Sequence, residues 1–149
     1  MDNSYTLVTA SAEDTQKLGK TFGRTVLKEK QQKTARVVCL WGDLGSGKTT
    51  FVQGVAQGLG IQSRLLSPTF IIVRRYIFFH NLMQMYHVDL YRLKEGFNPE
   101  ELGIPEIFRY PDTLCFIEWP ERMEANLPKY RVNIRFRTLP DGKHQITIG

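Results

Sequence analysis

Cysteine is scarce in this chain of 149 residues: there are two, Cys39 and Cys115. Each lies within an apolar run and no cluster of Cys and His accompanies either, so neither a disulfide framework nor a thiolate metal site is expected. No apolar run approaches the ~20 residues that cross a bilayer, so no membrane helix is expected. The opening Met1-Asp2-Asn3-Ser4 lacks a basic region followed by an apolar core, which argues against a secretory signal and for a cytoplasmic location. Heptads, internal repeats, low-complexity tracts and Ser/Gly-rich linkers are absent, so one domain over residues 1–149 is expected. Acid is in the minority, with 15 Asp and Glu against 20 Lys and Arg, a net charge of +5. That balance suits a partner bearing phosphates or an acidic surface, and it is also that of many small soluble domains. The rest, 42% hydrophobic and 23% charged, is ordinary globular composition.

Against this plain background one stretch stands out: Gly42-Asp43-Leu44-Gly45-Ser46-Gly47-Lys48-Thr49, followed by Thr50. It fits G-x-x-x-x-G-K-[ST], the phosphate-binding P-loop. Glycines at 42, 45 and 47 permit backbone turns that a Cβ would block and let successive N–H groups converge on an anion. The helix that follows offers its positive end to the same anion. Lys48 can set its ammonium between β- and γ-phosphates, and Thr49 can offer its hydroxyl to Mg²⁺. The flanks agree with the motif. Val37 to Trp41 reads as a buried parallel strand. Thr49 to Leu59 reads as a helix with Phe51, Val55 and Leu59 four apart, ended by Gly58 and Gly60.

Elsewhere the pattern alternates strands and short helices. Tyr5 to Thr9 is a β-type run, and Ser11 caps a helix whose apolar face is Leu18, Phe22 and Val26. Lys28 to Arg36 is a polar loop. Ser67-Pro68-Thr69-Phe70 is a rigid turn followed by a hydroxyl and a ring, in the connection that in P-loop enzymes reaches toward the γ-phosphate; Thr69 is either a sensor there or an ordinary loop residue. Phe70 to Phe79 and Met83 to Leu90, joined at His80-Asn81, read as a hairpin. Asn98-Pro99-Glu100-Glu101-Leu102 starts a helix that Gly103 and Pro105 keep short. Tyr130 to Arg137 alternates, with Val132, Ile134 and Phe136 inward and Arg131, Asn133, Arg135 and Arg137 outward. Leu139-Pro140-Asp141-Gly142 turns the chain into a final strand carrying Ile146 and Ile148. The fold expected is α/β: a three-layer P-loop NTPase-like domain whose mixed central sheet has antiparallel hairpins at 70–90 and 130–149.

Two acids end strands, where open α/β sheets place ligand-binding groups. Asp89 closes Tyr86-His87-Val88-Asp89 and is a candidate for the Mg²⁺-water shell or for orienting water, with pairing to Arg92 as the alternative. His87 alternates with Asp89 and shares its side of the strand. Thr113 to Glu118 is an apolar strand closed by a carboxylate, the Walker B pattern, in which the acid holds Mg²⁺ or its water. Trp119 follows it. Arg131, Arg135 and Arg137 form a basic face that either docks RNA or an acidic protein or guards a sheet edge.

Taken together, GDLGSGKTT, SPTF, YHVDLYRL and IEWPE resemble, in order and approximate spacing, the TsaE (YjeE) family of bacterial P-loop ATPases of tRNA threonylcarbamoyladenosine synthesis. The resemblance covers nearly the whole chain and implies binding and slow hydrolysis of ATP in the cytoplasm. It implies action beside a TsaB–TsaD-type complex that modifies adenosine 37, so that tRNA is met indirectly and membranes not at all. By the same resemblance Lys48 contacts phosphate, Thr49 and Glu118 hold Mg²⁺, Asp89 supports hydrolysis, and Thr69 belongs to a switch-like loop. Trp119 lies beside the site, and the segment from Thr9 to Ser11 lies near the adenine. The last expected strand ends directly before Gly149, so no C-terminal extension is expected. Two other readings compete. A small-molecule or nucleotide kinase would carry an arginine-bearing lid, and no lid insertion is present. A nucleotide-dependent tRNA-binding module would use Arg131, Arg135 and Arg137 and show salt-dependent tRNA binding on its own.

Overall fold

The computed structural model describes residues 3–29, 32–62, 72–79, 83–94 and 96–149. Its elements are β1 (Tyr5–Thr9), α1 (Ala12–Leu27), β2 (Arg36–Trp41), α2 (Lys48–Gly58), β3 (Val73–Phe78), β4 (Met83–Asp89), α3 (Ile104–Ile107), β5 (Thr113–Glu118), β6 (Val132–Thr138) and β7 (His144–Ile148). Short 3-10 helices run over Pro99–Leu102 and Pro120–Asn126. Strands alternate with helices along the chain and pair both in parallel and antiparallel, which makes the fold α/β with mixed strand pairing. The chain gathers into two units that interleave along the sequence. The first comprises Met1–Glu29, Trp41–Leu65 and Asn133–Gly149; the second comprises Lys30–Leu40 and Leu66–Val132.

In the first unit β7 pairs antiparallel with both β1 and β6, so the hairpin expected at 130–149 is present and β1 extends it. The turn closes with Gly142 N–H donating to Leu139 O at 2.9 Å, and Gly142 takes φ 86°. α1 starts where Ser11 predicts. The Ser11 hydroxyl accepts the Asp14 N–H at 3.1 Å, and the Asp14 carboxylate accepts the Ala10 N–H at 3.2 Å. Its buried line, however, is Thr15, Gly19, Gly23 and Val26. Leu18 and Phe22, expected to face inward with Val26, are only half-buried.

Close helix packing causes this rotation. A Cβ at Gly19 would lie 2.1 Å from the Phe51 carbonyl oxygen, one at Gly54 2.1 Å from that of Gln16, and one at Gly58 2.2 Å from that of Lys20. The two helices therefore meet backbone to backbone, and larger side chains flank the seam. Gly58, expected to end α2, is inside that seam. α2 starts one residue early, at Lys48, and ends at Gly58 as expected, with Leu59 as its cap and Gly60 beyond at φ 79°. Below the seam Phe51 meets Phe22 and Phe136 edge-on, at 5.7 and 5.8 Å between ring centres.

In the second unit β5 pairs in parallel with β2 on one side and β4 on the other, and β3 pairs antiparallel with β4. The sheet is thus parallel along the strands that flank β5, and the hairpin expected at 70–90 is an antiparallel β3–β4 pair. Every residue of β5 is buried, as a strand covered on both faces requires. Asn98 caps the first short helix by accepting the Glu100 N–H at 3.1 Å. Gly103, at φ 70°, ends it. Pro105 does not interrupt this helix; it lies in the first turn of α3, where its missing N–H costs no helical bond. Ser67-Pro68-Thr69-Phe70 and His80-Asn81 lie outside the described residues.

The glycine seam makes a stability prediction. Alanine favours a helix over glycine by ~1 kcal/mol, but overpacking costs ~1–3 kcal/mol, and the obstructing atom at Gly54 is backbone. Gly54→Ala should lower the urea midpoint; a midpoint at or above the parent's would mean that the helices do not cross on this glycine. The cysteines make a second. Burial pushes the Cys39 thiol from 9.0 up to about 11, against a small opposing pull from Arg131, and raises Cys115 further. The folded protein then keeps protons that the unfolded chain releases. The stability Cys39 contributes is whole below pH 9 and is lost as the pH rises toward 11. Chemical denaturation across that window should show the loss, reduced in Cys39→Ala. Both thiols should resist alkylation near neutral pH until the chain is unfolded.

Candidate functional site

The loop after β2 is built on backbone that only glycine takes readily. Gly42, Gly45 and Gly47 have φ of 147°, 75° and 104°. At Gly42 a Cβ would come within 2.7 Å of Phe136 O, whereas at Gly45 nothing lies within 4 Å and the backbone faces open space. Ser46 N–H donates to Asp43 O at 3.2 Å and tightens the loop, while Asp43, Leu44 and Gly45 form its exposed tip. Ser46 Oγ is buried with no hydrogen-bond partner among the described residues.

Gly47 caps α2 without a side-chain hydrogen bond, and no acid stands in the first turn. The positive end of that helix therefore has no carboxylate of its own turn against it. Lys48 is 5% exposed, and its ammonium donates to the carbonyls of Gly42 and Asp43, the latter at 3.2 Å. Thr49 and Thr50 follow in the first turn, half-buried. The set consists of glycine-lined backbone, an uncapped helix start and a buried ammonium resting on weak acceptors. It can take up an anion, with the ammonium exchanging carbonyl oxygens for charged ones.

Beside this loop are the two N-terminal candidates. The Thr9 and Thr15 hydroxyls bond each other at 2.8 Å, and Thr15 Oγ1 also donates to Ser11 O at 3.3 Å. Thr15 Cγ2 lies 3.6 Å from the position of a Cβ on Gly47, so this buried pair buttresses the loop. Ser11's hydroxyl is occupied with the α1 cap.

The second unit holds the acids. Glu118 is in register with Leu40 of β2, two residues before Gly42 in sequence, and with Asp89 of β4. Both carboxylates are buried at the carboxyl ends of their strands. Asp89 Oδ1 accepts the Tyr91 N–H at 2.9 Å, and Leu90 N–H donates to Glu118 O at 3.1 Å, which ties the two strand ends together. Trp119 takes the left-handed conformation, φ 60° and ψ 50°, uncommon for a bulky residue. Its ring packs on Tyr91 with centres 5.1 Å apart. The turn directly after Glu118 is thereby held in one geometry.

His87, which as a lone histidine on its strand reads from the sequence as structural, lies with its Nε2 2.6 Å from Glu118 Oε2. The spacing His87-x-Asp89 carried a signal of this. Its meaning depended on β4 pairing beside β5, which alternation within one strand does not reveal. Thr15 was missed for a similar reason: its partner Thr9 precedes the helix.

Among the described residues no group of three or more His, Cys, Asp or Glu side chains is placed to hold a metal by itself. Mg²⁺ does not ask for one; it binds through one or two protein oxygens and completes its shell with phosphate and water. A threonine hydroxyl and a glutamate carboxylate are each hard oxygen donors of the kind that ion takes. The outward arginines are less uniform than their spacing suggests. Arg135 and Arg137 are exposed on β6, and Arg135 stacks over Trp41 at 5.1 Å. Arg131 precedes β6, is half-buried and donates to Pro128 O at 2.9 Å. No helix among the described residues is long and apolar enough to cross a membrane.

Comparison with known proteins agrees with these features. The profile of the family described as "Threonylcarbamoyl adenosine biosynthesis protein TsaE" matches residues 9–146. The chain is 42% identical over 141 residues to the tRNA threonylcarbamoyladenosine biosynthesis protein TsaE of Treponema pallidum, covering 95% of this chain and 97% of that one. It is 39% identical over 115 residues to the TsaE of Bacillus subtilis, covering 77% and 70% of the two chains. The crystal structure of Bacillus subtilis YdiB superposes with a TM-score of 0.78 at 30% identity, over 99% of this chain and 86% of that one. With the family match running from the end of β1 into β7, this chain belongs to the TsaE family of tRNA threonylcarbamoyladenosine biosynthesis proteins.

Proposed function

We propose that the chain is a P-loop ATPase of that pathway: it binds ATP, hydrolyses it slowly, and acts in the cytoplasm with a TsaB–TsaD-type complex to support its turnover at adenosine 37. In this reading the whole chain is one nucleotide-binding domain of the three-layer P-loop type. The observation that carries it is the loop at Gly42–Thr49, with three glycines at positive φ, an uncapped helix start and Lys48 buried against loop carbonyls.

The chemistry assigned to the residues is positioning and charge stabilisation. Lys48 leaves the Gly42 and Asp43 carbonyls for phosphate oxygens, and the loop N–H groups around Ser46 and Gly47 hold the same group. Thr49 and Glu118 are the protein's oxygens for Mg²⁺, which when bound neutralises developing charge on the phosphates. Asp89 supports the attacking water, and Trp119, stacked on Tyr91, walls the strand end beside Glu118. Thr9 and Ser11 are assigned to the adenine side; with their hydroxyls already bonded within the chain, they act there by shape and backbone. No arginine finger stands out in the motifs, and such a finger is worth about 10³–10⁵ in rate to P-loop hydrolases. Slow turnover alone and dependence on a partner follow.

Nucleotide affinity and turnover test this. A hydrogen bond to a charged group is worth ~1.5–3 kcal/mol, so Lys48→Ala should weaken ADP binding by about 10–100-fold in calorimetry. Glu118→Gln should weaken the Mg²⁺-dependent part of binding. In a reconstituted multiple-turnover assay of tRNA modification with TsaB and TsaD, omission of the protein or of ATP should stop turnover. Unchanged ADP affinity in Lys48→Ala, or brisk hydrolysis by the isolated protein, would sink the proposal.

A further inference from the structure

We propose that His87 is a positioning residue for Glu118, holding the carboxylate in the one orientation from which it can serve a divalent cation; this rests on the reading of Glu118 as a Mg²⁺ ligand. The two residues stand on neighbouring parallel strands. The register pairs Asp89 with Glu118 and His87 with Phe116, which puts His87 and Glu118 on one face of the β4–β5 pair. Their side chains are 0% and 4% exposed, and Nε2 to Oε2 is 2.6 Å, short even for a charge-assisted bond.

The other ring nitrogen, Nδ1, is buried with no hydrogen-bond partner among the described residues. That asymmetry assigns the tautomer. With the proton on Nε2, the ring donates to the carboxylate and leaves only an acceptor unmet. With the proton on Nδ1, two lone pairs would face each other and a buried donor would have nowhere to go. A buried imidazole with one idle nitrogen is a poor core filler, since an apolar side chain would pack there without the unmet group. What the ring supplies is a single directed N–H, aimed at one oxygen of Glu118.

The carboxylate is fixed at its other end as well. Its backbone carbonyl accepts the Leu90 N–H at 3.1 Å, and the next residue is held at φ 60° by the Trp119–Tyr91 stack. With backbone and one oxygen both held, the Glu118 side chain has little freedom left to lose when a cation arrives. Such outer-shell partners orient ligands and typically carry 10–100-fold in metal affinity.

The test uses the full chain and its variants His87→Leu, His87→Asn, His87→Gln and Glu118→Gln, with Mg²⁺ titrated into protein saturated with a fluorescent ADP analogue. His87→Leu should need about 10–100-fold more Mg²⁺ for half-effect, with ADP affinity in EDTA unchanged. His87→Asn, too short to reach the carboxylate, should match it, and His87→Gln should recover most of the loss. Ring ¹⁵N NMR of the parent without metal should show the proton on Nε2, with a shift in Glu118→Gln. A purely structural role would lower stability without moving the Mg²⁺ midpoint. Parental midpoints in His87→Leu or His87→Asn, while Glu118→Gln still moves its own, overturn the inference and leave the reading of Glu118 standing. An unmoved midpoint in Glu118→Gln removes that reading instead. If the leucine and asparagine variants do not fold, a parental ring protonated on Nδ1 overturns the inference by itself.

Discussion

The parallel register of β5 with its two neighbours sets the chemistry of its unit. Leu40, Glu118 and Asp89 stand level across three strands. Parallel strands all deliver their carboxyl ends to the same edge, so two acids from distant parts of the sequence arrive side by side. One of them also arrives level with the strand that runs, two residues later, into Gly42. A slip of one residue would turn Glu118 to the other face and separate it from His87. The near-continuous apolar character of β2 and β5 resists such a slip, because both strands are buried almost along their whole length.

The loop depends on a different constraint. Glycine serves twice in that unit, once for dihedral angles and once for space. In the loop, Gly42, Gly45 and Gly47 take backbone conformations that other residues rarely adopt. In the helices, Gly19, Gly54 and Gly58 are there because a carbonyl of the facing helix occupies the place of their Cβ. The second use supports the first: α1 pressed close to α2 brings Thr15 to Gly47, and the Thr9–Thr15 hydroxyl pair closes that contact.

Burying Lys48, His87, Asp89 and Glu118 opposes folding, since each loses water that only partners can replace. Partners within the chain meet them, among these carbonyl oxygens for Lys48, a backbone N–H for Asp89 and an imidazole for Glu118.

Much of this was legible in the linear chain. The glycine loop, the strand before it, the Ser11 cap, the hairpin ending at Ile148 and both strand-end acids follow from local rules: glycine dihedrals, capping, alternation. The misses share one cause. Leu18 and Phe22 stood out by hydrophobicity, but the buried face of α1 is decided by how closely α2 approaches, and that is a property of both helices. Pro105 read as a helix break because its position within a turn was invisible. By itself the sequence determined local geometry: the glycine loop, the helix caps and the strands that end in acids. Tertiary structure alone decided which residues meet, as with His87 and Glu118, because strand pairing joins residues 31 positions apart by hydrogen bonds that no local pattern specifies.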